Sequence, residues 1–393
     1  MYNAGMRRAW VLAVCLHAVA GSGSGERVSL REEKLHGRAA LVLDNGRMRL
    51  SALPGGGYIG EVRLLSPDPK RNVNPMRVPH YPTIDPHTYN PARDDAAYGG
   101  GENRFIMSGY MGHYLCFPYF GGPSKDEAQH GLGTHGEAVS VEWKAEKSET
   151  AGDTVSLLLA AELPKTRYRV RRAVSLRSGE TVAHIEEWVE NLLPFDRPMH
   201  WVHHATFGPP FAEPGKSFVD APIARVADRG DQRQTEPKNE RAFRAEPHSG
   251  SYRAWLLDKS RSLGWCTMYH TDYRVLIGYL FSTSDSPWIG DWQENRRNRQ
   301  VPWDGKAIAR GLEIGTTPFG GLRQSVEEGK LFDVPTYRWI AAGQRLKQSY
   351  AIFLAEIPDG YRGVGDVRSE GGNIVIEERE TGKTLSVAGA PVW

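Results

Sequence analysis

Very little in this sequence points to metal, nucleotide or nucleic-acid chemistry. Only 3 cysteines are present, and no CxxC pair occurs, which argues against a thiolate zinc site. No HExxH stretch occurs either, so the helical zinc-protease pattern is missing. The net charge is +2, with acids and bases interspersed. That leaves no basic stripe for a nucleic-acid footprint and excludes nucleic acid as a partner. The glycines of Gly99-Gly100-Gly101 lack the Gly-Lys-Ser/Thr ending and the long helix of a phosphate loop. No internal repeat of fixed period is visible. Beyond the first residues, no stretch patterns as three or more helical turns.

What the chain does have is turns, aromatics and short alternating segments. It carries 43 Gly, 25 Pro, 11 Trp and 16 Tyr, and 40% of it is hydrophobic. Arg38–Leu43, Glu137–Trp143, Thr154–Ala160, Tyr168–Ser175, Thr181–Trp188, Val275–Tyr279 and Tyr350–Leu354 all have strand length. They are rich in β-branched or aromatic residues and are bounded by turn formers. Segments 70–103 and 208–250 are polar and rich in Pro and Gly, and they pattern as long loops. Such loops often carry function. The tail from Arg368 onward patterns as two more strands. One antiparallel domain from residue 25 to 393 follows.

The N-terminus patterns as an export signal over residues 1–24. Arg7 and Arg8 precede an apolar stretch from Ala9 to Ala20, followed by small residues at Ala20, Gly21 and Ser22. The stretch is too short for a stable membrane span. The expectation is a periplasmic or secreted protein with no membrane association after cleavage. Of the cysteines, Cys116 and Cys266 would then remain. Export would allow them to pair, and two buried thiols are the alternative.

Five features could carry chemistry. In Pro198–Gly208, a strand would put His200, Val202 and His204 on one face and Trp201 and His203 on the other. That spacing also allows a zinc alternative through His200 and His204. His135 sits between glycines, where backbone can approach closely. Glu313 lies between Leu312 and Ile314. A strand would aim its carboxylate away from both, whereas a pocket floor would bury it and raise its pKa. In Trp288–Asn295, indole rings alternate with Asp291, Gln293 and Glu294. Trp292 and Glu294 suit a sugar, whose C–H face packs on indole while its hydroxyls take hydrogen bonds. Arg104 offers a planar fork of donors for a ligand.

Three of these motifs resemble those of the aldose 1-epimerase (galactose mutarotase-like) superfamily, in order and with similar spacing. His135-Gly136 is similar to an early His-Gly pair that contacts sugar. His204-Ala205-Thr206-Phe207 resembles a His-x-Tyr-Phe motif whose His is the general acid. Gly311-Leu312-Glu313 resembles a late Leu-Glu whose carboxylate is the base. The resemblance covers most of residues 40–355, and its nearest flavour is an uncharacterised bacterial branch. It departs from the pattern at His203, where an Asn is usual, at Thr206, where a Tyr is usual, and at Asn103-Arg104, a loose match to an Asn-Arg. The resemblance implies a large antiparallel β-supersandwich and a small sugar or oligosaccharide as partner. It implies catalysis by His204 and Glu313, binding by His135 and by Arg104, and no cofactor. The acid and base would lie on opposite sides of the sugar, supplied by distant strands. The alternatives are a non-catalytic sugar-binding protein and a glycan lyase or hydrolase, the last with Asp291 and Glu294 as its acidic pair.

Overall fold

The computed structural model describes residues 28–228, 231–235, 241–244 and 246–391. The export signal expected over residues 1–24 lies outside them, apart from which the strand expectation can be followed through the chain. Two large sheets face each other. One has 11 strands and the other 8. The ladders between neighbouring strands are antiparallel. The fold is therefore the large antiparallel β-sandwich expected.

Alternation explains why both sheets form. Tyr168–Arg177 reads buried, half-buried, buried through most of its length, so one face meets the partner sheet and the other meets solvent. The shared core includes Leu50, Val62, Leu157, Val170, Ile185, Trp201, Phe207, Leu312, Ile314 and Ile352, drawn from both sheets. A third, three-stranded sheet follows, made of Val364–Glu370, Asn373–Glu378 and Thr384–Ala388. The two strands expected from Arg368 onward are Asn373–Glu378 and Thr384–Ala388, and Val364–Glu370, which begins before that tail, completes the sheet. Val364, Val367, Ile374 and Ile376 cover Trp265, Leu276, Leu280 and Phe353 on the outer face of the eight-stranded sheet.

Neither expected loop is without structure. Segment 208–250 contributes the strands Ser217–Asp220, Ile223–Asp228 and Asp231–Thr235. Segment 70–103 contains the helix Pro91–Tyr98, which starts where the Asn90 side chain accepts from the Ala92 N–H and ends at Gly99 with φ 84°. Those are the usual local signals for helix ends. With its neighbours, this segment covers the outer face of the 11-stranded sheet. Tyr81, Tyr98, Ile106 and Tyr110 pack there against Tyr58, Tyr114 and Val202. Cys116 and Cys266 are free and buried. Among the described residues, no helix is long and apolar enough to cross a membrane.

Candidate active site

The strands His113–Cys116, Val202–Phe207, Ile308–Gly315, Trp288–Asn295 and Ser249–Leu257 are successive neighbours at the middle and side of the 11-stranded sheet. Side chains of opposite parity on one strand face opposite ways. Ala205, Phe207, Leu312 and Ile314 therefore enter the core, while His204 and Glu313 take the other face. Register puts His204 opposite both Tyr114 and Glu313, and Glu313 opposite Gly290. Four strands thus meet in one row at this point.

His204 Nε2 lies 2.8 Å from Glu313 Oε1, and both side chains are 3% exposed. His204 Nδ1 meets Thr206 Oγ1 at 2.9 Å, and Thr206 Oγ1 meets the Tyr110 hydroxyl at 3.2 Å. The Tyr114 ring stacks on the imidazole at 4.6 Å between centroids. Burial pushes His204 down to about 3, with the Arg77 charge adding to the effect. Burial likewise raises Glu313 well above the ordinary carboxylate range, and the Asp291 charge adds to it. Both shifts favour neutral groups, so the pair holds a single proton between carboxyl and imidazole. Glu313 can donate to Nε2 while His204 donates from Nδ1 to Thr206. One proton shift along the 2.8 Å contact gives carboxylate and imidazolium instead.

Two glycines let the neighbouring groups close in on the pair. A Cβ on Gly290 would stand 2.4 Å from the Tyr252 hydroxyl and 2.8 Å from Glu313 Oε2, and one on Gly311 would stand 3.1 Å from the His204 ring. Tyr252 lies beside Oε2 but donates its own proton to the Pro318 carbonyl at 2.8 Å. Glu313 Oε2, Tyr114 Oη, Arg77 Nη2 and Trp303 Nε1 are all buried without a partner. Arg77 stacks on Tyr110 at 4.4 Å and on Trp303 at 5.4 Å. Buried polar atoms are ordinarily hydrogen-bonded. Several orphans in one cluster around an acid–base pair mark a place built for a polar guest.

Of the residues singled out in the sequence, four come together. The His135 ring lies 5.2 Å from that of His204, and Trp292 lies 6.1 Å from it. His135 holds φ 69°, directly before Gly136 at φ 85°. Its Nδ1 accepts from the Gly121 N–H at 3.3 Å, which leaves Nε2 for a ligand. His135, Trp292 and Tyr252 keep partial exposure and border the pair on the solvent side.

Other expectations need correction. Arg104 does not reach the site. Its guanidinium is spent on the Gly101 and Gly131 carbonyls at 2.7 and 3.0 Å and lies over Phe105. Glu294 shares the strand face of Trp292, but its Oε1 accepts from the Arg297 and Asn298 N–H groups and ties down a turn. Asp291, proposed with Glu294 as a hydrolase pair, points the other way into a buried ion pair with Arg310 at 2.8 Å. The residues expected as acid and base, His204 and Glu313, are distant in sequence yet sit on neighbouring strands and touch, because the antiparallel ladder pairs residue 204 with residue 313. Both oxygens that exchange protons in a hemiacetal hang on one carbon, so adjacent groups suffice. Arg77, Tyr110 and Tyr114 were not singled out. The alternation Tyr110, Gly112, Tyr114 would have offered a signal for the two tyrosines.

The zinc alternative through His200 and His204 gains no third ligand: among the described residues the two belong to no group of three converging ligand atoms, and both nitrogens of His204 are engaged, by Thr206 and Glu313. Another set does converge on the inner face. Ligand atoms of His113, Glu187 and His203 lie within 4.8 Å of one another. They do not suit a metal. Glu187 is already paired with buried Arg172, and Trp201 Nε1 donates to it at 3.2 Å. Both nitrogens of His113 meet tyrosine hydroxyls, of Tyr279 and Tyr350. A dication there would leave two added charges uncompensated beside a buried guanidinium. Burial acts to raise the pKa of Glu187, but the charges of Arg172 and His203 and the hydrogen bonds from Arg172 and Trp201 together lower it.

A sequence family described as a domain of unknown function (DUF4432) matches residues 106–336. No curated protein matches the chain. Among solved structures, a proposed aldose 1-epimerase from Klebsiella pneumoniae is similar at 12% identity with a TM-score of 0.63, over 83% of each chain. A galactose mutarotase-like protein from Clostridium acetobutylicum is similar at 13% identity with a TM-score of 0.59, over 84% of this chain and 99% of its own. A further proposed aldose 1-epimerase, from Escherichia coli, has 14% identity and a TM-score of 0.54, over 80% of this chain and 98% of its own. At such identities the likeness establishes a galactose mutarotase-like fold.

Proposed function

We propose that this chain, which belongs to the DUF4432 family, binds a small sugar over the His204–Glu313 pair and interconverts its anomers by opening and reclosing the ring. The observation that carries this reading is the set of buried orphan polar atoms around a pair that holds one proton. Sugar hydroxyls would supply the missing partners, and the C–H face of the ring would pack on Trp292. His135 Nε2 and Arg77 Nη2 would hold the hydroxyls.

In the chemical step, the pair first takes its ionised form, with carboxylate on Glu313 and imidazolium on His204. Glu313 removes the proton from the anomeric hydroxyl. Its O–H electrons form the carbonyl, the bond from the anomeric carbon to the ring oxygen breaks, and that oxygen takes the proton of His204. Rotation about the adjoining carbon–carbon bond presents the other carbonyl face. Closure reverses both transfers: Glu313 gives its proton to the carbonyl oxygen, and His204 takes one from the attacking hydroxyl. No charge is gained or lost over the cycle, which suits a buried site.

The test is anomer exchange of freshly dissolved α-glucose and α-galactose followed by NMR, with wild type, Glu313→Gln and His204→Ala. Acceleration that falls by at least ~100-fold in both variants is the expected result, in line with general acid–base contributions. No acceleration for any aldose in a broad panel would refute epimerisation. Binding without acceleration would favour a sugar-binding protein, a reading helped by the direct 2.8 Å contact that a substrate has to loosen. The proposal includes export through the leader over residues 1–24. The intact mass of secreted protein should correspond to a start near residue 25, and a full-length mass would refute it.

A further inference from the structure

A second cavity, of about 450 Å³, is lined by Leu257, Pro287, Val334, Tyr337, Asp285 and Arg338 among others, with no residue of the His204–Glu313 cluster. Its volume suits one or two sugar rings. The floor is apolar, with Leu257 and Val334 buried. Its polar feature is an ion pair, Arg338 Nη1 to Asp285 Oδ1 at 3.1 Å, with side chains 34% and 30% exposed. That contact uses one edge of each group. Both residues line the cavity, and the contact leaves the Nε and Nη2 donors of Arg338 and the second oxygen of Asp285 outside it. A vicinal diol matches such an edge, because one hydroxyl accepts from the guanidinium while its neighbour donates to the carboxylate. Lys259 and Asp333 also line the space, so its charges balance and an anionic ligand gains nothing there.

Beside it lies an aromatic surface that the core does not explain. Trp339 is 55% exposed, although it is held in the short ladder Arg197–Met199 with Arg338–Ile340. Its ring meets that of Tyr337 at 5.8 Å with the planes 74° apart. Tyr337 lines the cavity, and Trp339 continues the aromatic surface outward. Ring faces next to an open ion pair give what a glycan needs, flat apolar area for C–H faces and a fork for hydroxyls. The extension beyond the cavity fits a chain longer than one unit.

We infer that this cavity and the Tyr337–Trp339 surface form a binding site for a neutral oligosaccharide, separate from the candidate active site. The probes are maltotetraose and cellotetraose, titrated into the full protein by calorimetry and by saturation-transfer NMR. Wild type is compared with Trp339→Ala, Arg338→Ala and Glu313→Gln. The expected result is binding of at least one tetrasaccharide, weakened at least tenfold by Trp339→Ala and by Arg338→Ala but retained in Glu313→Gln. Monosaccharide anomer exchange should be unchanged in Trp339→Ala, which separates this site from the proposed reaction. Trp339 is exposed, so its replacement keeps the fold even if Arg338→Ala does not. Failure of both tetrasaccharides to bind, or undiminished binding in Trp339→Ala, would overturn the inference. So would displacement of the bound tetrasaccharide by galacturonate oligomers at lower concentration, since the site would then prefer anions.

Discussion

Replacing Glu313 by Gln should make the protein less active and, above neutral pH, more stable. Burial raises the Glu313 pKa well above its ordinary 4.5. A folded-state pKa above the unfolded one means that the folded chain binds the extra proton. The stabilisation this carries is complete below pH 4.5 and is lost as pH rises through the folded pKa. Across that window the loss is about 1.4 kcal/mol per pH unit. Gln has the same shape and does not titrate, so this slope disappears in the variant. Its amide can still donate to His204 Nε2, so the contact itself changes by no more than about 1 kcal/mol. Urea unfolding at pH 5, 6, 7 and 8 should therefore give a stability difference that moves in favour of the variant until pH passes the folded pKa, and is level above it. Anomer exchange on the same samples should fall to background. A constant difference at all four pH values would mean that Glu313 is not held neutral in the fold. Retained exchange would remove it from the chemistry.

Three other substitutions probe different layers of the same arrangement. Gly290→Ala should abolish exchange while costing stability, because the added methyl would stand 2.4 Å from Tyr252 Oη and 2.8 Å from Glu313 Oε2; unchanged kinetics would mean that the site does not use this space. Arg77→Met removes the orphan Nη2 together with the guanidinium over Tyr110 and Trp303 and the Nη1 bond to the Tyr110 carbonyl, so sugar binding measured by NMR titration should weaken by at least about tenfold, the usual worth of one charged hydrogen bond. Glu187→Gln leaves Arg172 buried without its carboxylate, both side chains being 1% exposed. Denaturant unfolding should then show a loss of about 3–5 kcal/mol, and a loss under 1 kcal/mol would mean that Arg172 finds another partner.

Strands were legible in the sequence because each has one face in a common core, which stamps a period of two on the chain. Tyr168–Arg177 shows that stamp plainly. Glu313 shows why local pattern stops short of a site. The sequence offered two readings, a carboxylate aimed away from Leu312 and Ile314 or one buried at a pocket floor, and the fold satisfies both. The face opposite the core is itself roofed by residues 69–112, whose Tyr81, Tyr98 and Tyr110 pack down onto Tyr114. That roof was hard to foresee. Its apolar residues follow no strand period, and its one clear helix signal, Asn90-Pro91 through Gly99, spans only 8 residues. Arg77 belongs to the same roof, and its place over Tyr110 depends on how the roof lies on the sheet. Arg104 offers a planar fork and a loose Asn-Arg match, but the carbonyls of Gly101 and Gly131 hold it elsewhere. The contact between residues 204 and 313 comes from antiparallel register, which pairs chain segments that share no local signal. Periodicity could place each side chain on a face. Only the ladder could bring two faces together at 2.8 Å.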